Sequence, residues 1–133
     1  MLRIRKKQTK ELTKASQKSF EDRMVIHSKR FFPEQCKGLG PEMTLEAVRY
    51  SILQAVKYEI VSERDVCIFT DVMFAYGENF DTDPKLPWAS QILNDENLQG
   101  EPDEKVDKLH EAAMKHAKET PDIPTVEEVH YGF

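Results

Sequence analysis

The stretch that most constrains the fold of this chain runs from Ser62 to Gly77, where apolar side chains cover most of a helical surface. They fall on two neighbouring faces, with Val66, Phe69, Met73 and Tyr76 on one and Ile68, Val72 and Ala75 on the other. A helix that is apolar over so wide a surface is enclosed by other helices. Ser62 is a favourable N-cap, and Asp65 follows three residues later, as in a capping box. The sequence therefore predicts a central helix over residues 62–76.

Helical patterns on both sides of this segment predict its neighbours. Residues 4–32 contain no proline or glycine and predict one long first helix, which Pro33 ends. We interpret residues 33–41 as a connection, after which Thr44 caps a second helix. The inner face of that helix is predicted to be Leu45, Val48, Ile52, Ala55 and Val56. Pro87 and Pro102 suit the first turns of a short helix and of a last helix that reaches Thr120.

The fold class predicted from these elements is all-α, a small helical bundle of four or five helices with an extended C-terminal tail. A chain of 133 residues has the length of one domain. We expect residues 1–120 to form a single helical domain, in which residues 1–10 are a candidate frayed basic arm. Residues 121–133 hold two prolines and alternating apolar residues, which predict an extended tail. This tail could pack back on the bundle or bind a groove on a partner.

The charge of the chain is divided unevenly along its length. Residues 1–30 hold ten basic and three acidic residues, whereas residues 31–133 hold nine basic and twenty-one acidic residues. This asymmetry indicates either a nucleic-acid-binding arm or a basic helix that lies on an acidic body. The two cysteines are far apart and suit buried free thiols in a reducing compartment. With no apolar run of membrane-spanning length and no signal-like N-terminus, we expect a cytoplasmic protein.

Several residues raise the question of a metal or catalytic site. The loop from Glu78 to Lys85 is acidic, but it departs from the EF-hand pattern and favours an Asx-type turn over a calcium site. His110 and His116 are six residues apart and lie on different helical faces, which disfavours zinc. No nucleophile elbow, phosphate loop or local cysteine–histidine signature occurs in the sequence. We therefore predict a protein that is not an enzyme and that uses no cofactor and no metal.

Two polar residues interrupt apolar helix faces. Asp71 lies on the seam of the central helix, where it is either a buried carboxylate or a residue that faces water or bonds a neighbouring helix end. The second interpretation is favoured, because aspartate is rarely buried unless it is paired. His27 lies on the apolar side of the first helix and is interpreted as a core-edge histidine rather than a ligand.

Three blocks of the sequence, Phe20–Cys36, Val48–Pro84 and Leu86–Asp95, together resemble a family of small bacterial proteins. The most specific part of the resemblance is the run from Phe80 to Trp88, FDTDPKLPW, and the whole covers roughly residues 1–115. Proteins of this kind occur beside genes for type VI secretion spikes, toxic effectors and effector adaptors. The resemblance implies an accessory role in the cytoplasm, as an adaptor or co-chaperone that binds an effector, its adaptor or a spike protein. It implies no catalytic residues.

The leading hypothesis is therefore a non-enzymatic protein-binding accessory protein, with contact residues drawn from its aromatic and acidic side chains. The candidate partner-binding residues are Phe74, Phe80, Asp81, Asp83, Trp88, Tyr131 and Phe133. One alternative is an immunity protein that places Glu78, Asp81 and Asp83 in the basic active site of a toxin. Another is a nucleic-acid-binding protein that uses its basic N-terminal arm, Arg3, Arg5, Lys6, Lys7 and Lys10.

Overall fold

A computed structural model of the protein describes the backbone of residues 2–119 and the side chains of residues 16–119. Within this part of the chain there are five α-helices and no strand; the helices are α1 (Leu2–Phe31), α2 (Pro33–Lys57), α3 (Glu63–Tyr76), α4 (Pro87–Leu93) and α5 (Pro102–Glu119). A 3-10 turn at Glu96–Leu98 joins α4 to α5. The all-α fold class is confirmed. The extended tail predicted for residues 121–133 lies outside the described residues.

Helix α3 lies at the centre of the bundle, as its apolar pattern predicted. Every residue from Asp65 to Phe74 is buried, and the helix packs against α1, α2 and α5. Ser62 caps its N-terminus, because the Ser62 side chain accepts a hydrogen bond from the backbone N–H of Asp65 at 3.2 Å. A single enclosed helix therefore organises the core of the described chain.

Helix α2 differs from its prediction at the N-terminal end. Pro33 begins the helix directly after Phe32, and a kink follows at Gly40, whose φ of 82° and ψ of 166° are not helical. Pro41 then restarts the helix, since it needs no backbone N–H in a first turn. Thr44 does not cap this helix, because its hydroxyl donates to the carbonyl of Gly40 at 2.8 Å. The predicted connection over residues 33–41 and the predicted Thr44 cap are both wrong.

Aromatic side chains fill the space between the helices and the loop that follows α3. Phe32 and Phe74 stack with their ring centroids 5.9 Å apart, and the ring centroids of Phe69 and Phe80 are 5.1 Å apart. Phe32, Phe69 and Phe80 are among the largest fully buried side chains. Across the described residues, no helix is both long enough and apolar enough to cross a bilayer.

Candidate functional site

The acidic loop after α3 is anchored to the core by two of the residues predicted to contact a partner. Phe80 is buried against Phe69. Asp81 is buried as well, and its carboxylate accepts a hydrogen bond of 2.6 Å from the hydroxyl of Tyr58. Burial, followed by the Asp81 carboxylate, raises the pKa of Tyr58 well above its ordinary value, so the phenol stays a donor. Phe80 and Asp81 hold the loop in place from buried positions, and the partner contacts predicted for them stay a prediction.

The other predicted contact residues divide between core, turn and surface. Phe74 is buried on α3 and stacks on Phe32, so it too is a core residue. Asp83 accepts a hydrogen bond from the backbone N–H of Lys85 at 2.9 Å, which confirms the Asx-type turn. Trp88 is half-buried on α4. Tyr131 and Phe133 lie outside the described residues.

Trp88 belongs to a cluster of three rings at the junction of α3, α4 and α5. Its ring centroid lies 5.3 Å from that of Tyr76 and 5.6 Å from that of His116. The hydroxyl of Tyr76 donates to the backbone carbonyl of Ala113 at 2.7 Å, and burial raises the pKa of Tyr76 to about 12. Among the described residues, neither the indole N–H of Trp88 nor Nδ1 of His116 has a hydrogen-bond partner. Trp88 is thus partly exposed through its ring, while its indole N–H is buried without a hydrogen-bond partner among the described residues.

A polar cluster of three side chains lies between α1 and α3. Nε2 of His27 lies 3.0 Å and 3.1 Å from the two carboxylate oxygens of Asp71. The same nitrogen lies 3.6 Å from Sγ of Cys67. All three residues are buried, and Asp71 and Cys67 have exposed fractions of 0%. Asp71 was expected to face water or to bond a neighbouring helix end. The structure corrects this expectation, because Asp71 is a buried carboxylate paired with His27.

Helical spacing and helix packing together produce this cluster. Cys67 and Asp71 are four residues apart and share one face of α3, and α1 packs against that helix with His27 turned inward. Burying a charged carboxylate is unfavourable unless it is paired and hydrogen-bonded. His27 is buried and supplies that pairing, which explains how Asp71 is accommodated inside α3.

The cluster has the residue types of a catalytic triad but lacks its geometry. In a triad the nucleophile and the orienting acid contact opposite nitrogens of the imidazole. Here Cys67 and Asp71 contact the same nitrogen of His27. Burial, and after it the charge of Asp71, raises the pKa of the Cys67 thiol far above its usual range, so the nucleophilic thiolate is disfavoured. The arrangement fits a structural pair or a set of metal ligands better than nucleophilic catalysis.

Large aliphatic side chains, and not the predicted aromatic ones, are the most exposed apolar groups of the described chain. Leu53 is 66% exposed and Val56 is 53% exposed on α2, while Ile26 on α1 is 68% exposed. Leu53 and Val56 are three residues apart, so they are neighbours on one helix face. Val56 was expected on the inner face of α2, and its exposure corrects that prediction. Val48 and Ala55 are buried as predicted, and Ser51 is buried with them.

The sequence contained only part of the signal for these features. The spacing of Cys67 and Asp71 places both on one face of α3, but nothing local connects them to His27, forty residues or more away. The exposed position of Leu53 follows from the helical register of α2, since it lies opposite Ser51 and Ala55. Helical periodicity could therefore have found Leu53, whereas the His27 cluster depends on how α1 packs.

Comparisons of the chain with protein-family models, with curated proteins and with solved structures find no match. The resemblance to type VI secretion accessory proteins accordingly stays a prediction that rests on the sequence blocks quoted above.

Proposed function

We propose that this protein is a non-enzymatic, protein-binding accessory protein, and that its partner is an effector of type VI secretion or the adaptor of such an effector. In this role it acts in the cytoplasm as an adaptor or co-chaperone before the effector is loaded. The sequence blocks that resemble such accessory proteins support the secretion setting. The exposed aliphatic pair on α2, Leu53 and Val56, supports protein binding.

The position of this pair is the observation that carries the proposal. The inner face of α2 already holds Val48, Ser51 and Ala55 in buried positions, so Leu53 and Val56 are not needed for the core. A partner that covers them gains about 25 cal/mol for each Å² of apolar surface removed from water. An amphipathic helix or an apolar groove is a suitable partner, because the charged residues Arg49 and Lys57 border the pair and can form the polar rim of an interface.

The inhibitor alternative receives less support from the geometry. An immunity protein that fills a basic active site needs its carboxylates at the surface. Asp81 is buried against the Tyr58 hydroxyl, and Asp83 is engaged in its own turn. Glu78 remains exposed, which leaves a weaker acidic surface than the sequence suggested. Accessory binding through apolar contacts is therefore the better-supported function.

The experiment is affinity purification of the full chain from the organism that encodes it, followed by mass spectrometry. We expect an effector, an effector adaptor or a spike protein at near-stoichiometric yield. The double variant Leu53→Asp/Val56→Asp is expected to lose this partner, whereas Gln91→Asp, an exposed change on α4, retains it. Equal recovery by the wild type and the double variant would contradict the proposed surface.

A second assay separates the two protein-binding roles. Cells that express the recovered toxic effector are rescued by an immunity protein, whereas an adaptor changes delivery of the effector without protecting the cell. The proposal expects no rescue and reduced delivery when the gene for this protein is removed. Full rescue of the toxin-expressing cells would assign the protein to the inhibitor class.

A further inference from the structure

The buried cluster of His27, Cys67 and Asp71 brings one nitrogen, one sulfur and one oxygen donor together between α1 and α3. One potential ligand atom from each residue lies within 4.8 Å of the other two. These three donors come from two helices that pack in the core and not from a flexible surface loop. A soft sulfur and a borderline imidazole nitrogen beside one hard carboxylate oxygen favour zinc or a related transition metal over calcium or magnesium.

The two separations that involve Nε2 of His27 are close to those in a zinc site. Zinc bonds of about 2.0–2.2 Å to nitrogen and oxygen and of about 2.3 Å to sulfur place tetrahedral ligands about 3.3 Å (N to O) and about 3.6 Å (N to S) apart. In the structure Nε2 of His27 lies 3.0 Å and 3.1 Å from the oxygens of Asp71 and 3.6 Å from Sγ of Cys67. An outward shift of a few tenths of an ångström in the His27–Asp71 pair would bring its N–O edge to the zinc-site length, and the ligand atoms of Cys67 and Asp71 lie within 4.8 Å of each other.

From this geometry we propose that His27, Cys67 and Asp71 are three ligands of a structural zinc site that fastens α1 to α3. The Cys67 thiolate and the Asp71 carboxylate balance the two positive charges of the ion, so the buried complex carries no net charge. Binding releases the thiol proton of Cys67 to solvent. The neutral imidazole binds through Nε2 with its proton on Nδ1.

The burial of the ligands assigns this ion a structural role. All three residues are at most 6% exposed, so a substrate has no direct approach to the metal, in contrast to a catalytic site with an accessible open position. A buried ion that joins two helices stabilises the folded state, because the unfolded chain does not hold its ligands together.

The first test is titration of the metal-free full chain with Co²⁺, an ion that reports its own ligands by absorption. We expect one ion per chain, with visible bands of tetrahedral cobalt and a near-ultraviolet charge-transfer band from a thiolate. Cys67→Ser is expected to lose the charge-transfer band. Cys36→Ser is the matched control, since Cys36 is the other buried thiol and lies outside the cluster; it is expected to keep the band. Absence of the band in the wild type, or its persistence in Cys67→Ser, would overturn the proposal.

A second measurement needs no variant and decides the matter if Cys67→Ser fails to fold. X-ray absorption of the zinc-loaded wild type is expected to show one sulfur neighbour and two or three nitrogen or oxygen neighbours. A zinc environment without sulfur would overturn the proposal. Thermal unfolding tests the effect of the ion on stability. Zn²⁺ is expected to raise the melting temperature of the wild type, and Mg²⁺ is expected to leave it unchanged. Equal melting temperatures with and without Zn²⁺ would contradict a structural ion.

Discussion

Removing His27 is expected to destabilise the fold far more than removing an arginine one turn earlier on the same helix. The side chains of His27 and Asp71 are 5% and 0% exposed, so breaking their pair leaves a carboxylate in the core without its imidazole donor. Loss of one member of a buried pair costs about 3–5 kcal/mol. We therefore expect His27→Leu to lower the free energy of unfolding by about 3–5 kcal/mol.

A double-mutant cycle separates the pair from the loss of packing. Asp71→Val alone leaves a buried imidazole without its acceptor, at a cost of about 1–3 kcal/mol. The double variant His27→Leu/Asp71→Val removes both polar groups, so its cost is expected to fall below the sum of the two single changes by about 2 kcal/mol.

The assay is urea unfolding followed by helical circular dichroism, with a chelator and a reductant present so that no metal and no disulfide contributes. Arg23→Leu is the control. Arg23 pairs with Glu63 at 2.8 Å, but these side chains are 35% and 50% exposed, and such pairs contribute at most about 1 kcal/mol. If His27→Leu costs no more than Arg23→Leu, or if the two changes of the cycle are additive, the account of the buried pair is refuted.

Three further predictions concern the ends and edges of the central helix. Burial and the neighbouring Asp103 carboxyl raise the pKa of Asp65 to about 6; the folded state then binds the proton more tightly than the unfolded chain, so stability falls as the pH rises from about 4 to about 6. In urea melts at several pH values, Asp65→Asn should abolish up to about 2 kcal/mol of this loss of stability between about pH 4 and about pH 6. Parallel stability–pH profiles for the wild type and the variant would contradict the prediction. Ser62→Ala should cost about 1 kcal/mol by the same melts, because it deletes the N-cap bond; no measurable loss would show that the cap is dispensable. Tyr58→Phe should cost about 1.5–3 kcal/mol, because it leaves the buried Asp81 carboxylate without a donor, and a neutral result would refute this anchoring.

The architecture followed from local patterns, since helix α3 is apolar on nearly all sides and Ser62 is a strong N-cap. The errors occurred where tertiary structure competes with local signals. Gly40 allowed the chain to kink and continue as helix, so Pro33 started α2 earlier than the Thr44 cap predicted. Asp71 was assigned to a helix surface because its partner, His27, lies far away in the sequence and is brought in only by packing.

The candidate contact residues also depend on tertiary packing that local sequence patterns do not reveal. Aromatic side chains are frequent at interfaces and in cores alike, and sequence alone could not decide between the two for Phe74 and Phe80. Both are buried, whereas the aliphatic pair Leu53 and Val56 is exposed. Helical register agrees with the exposure of Leu53 but had placed Val56 on the inner face of α2, so neither register nor chemical type alone identified this surface.

The measurement that tests the central proposal most directly is the affinity of the purified protein for the partner recovered from its host, determined by calorimetric titration. The account predicts that Leu53→Asp/Val56→Asp binds at least about tenfold more weakly than the wild type. Each introduced carboxylate would be buried in the complex and would lose its hydrating water without gaining a partner. Gln91→Asp should bind as the wild type does. Equal affinities for the wild type and the double variant, with both proteins folded, would contradict binding through this face of α2.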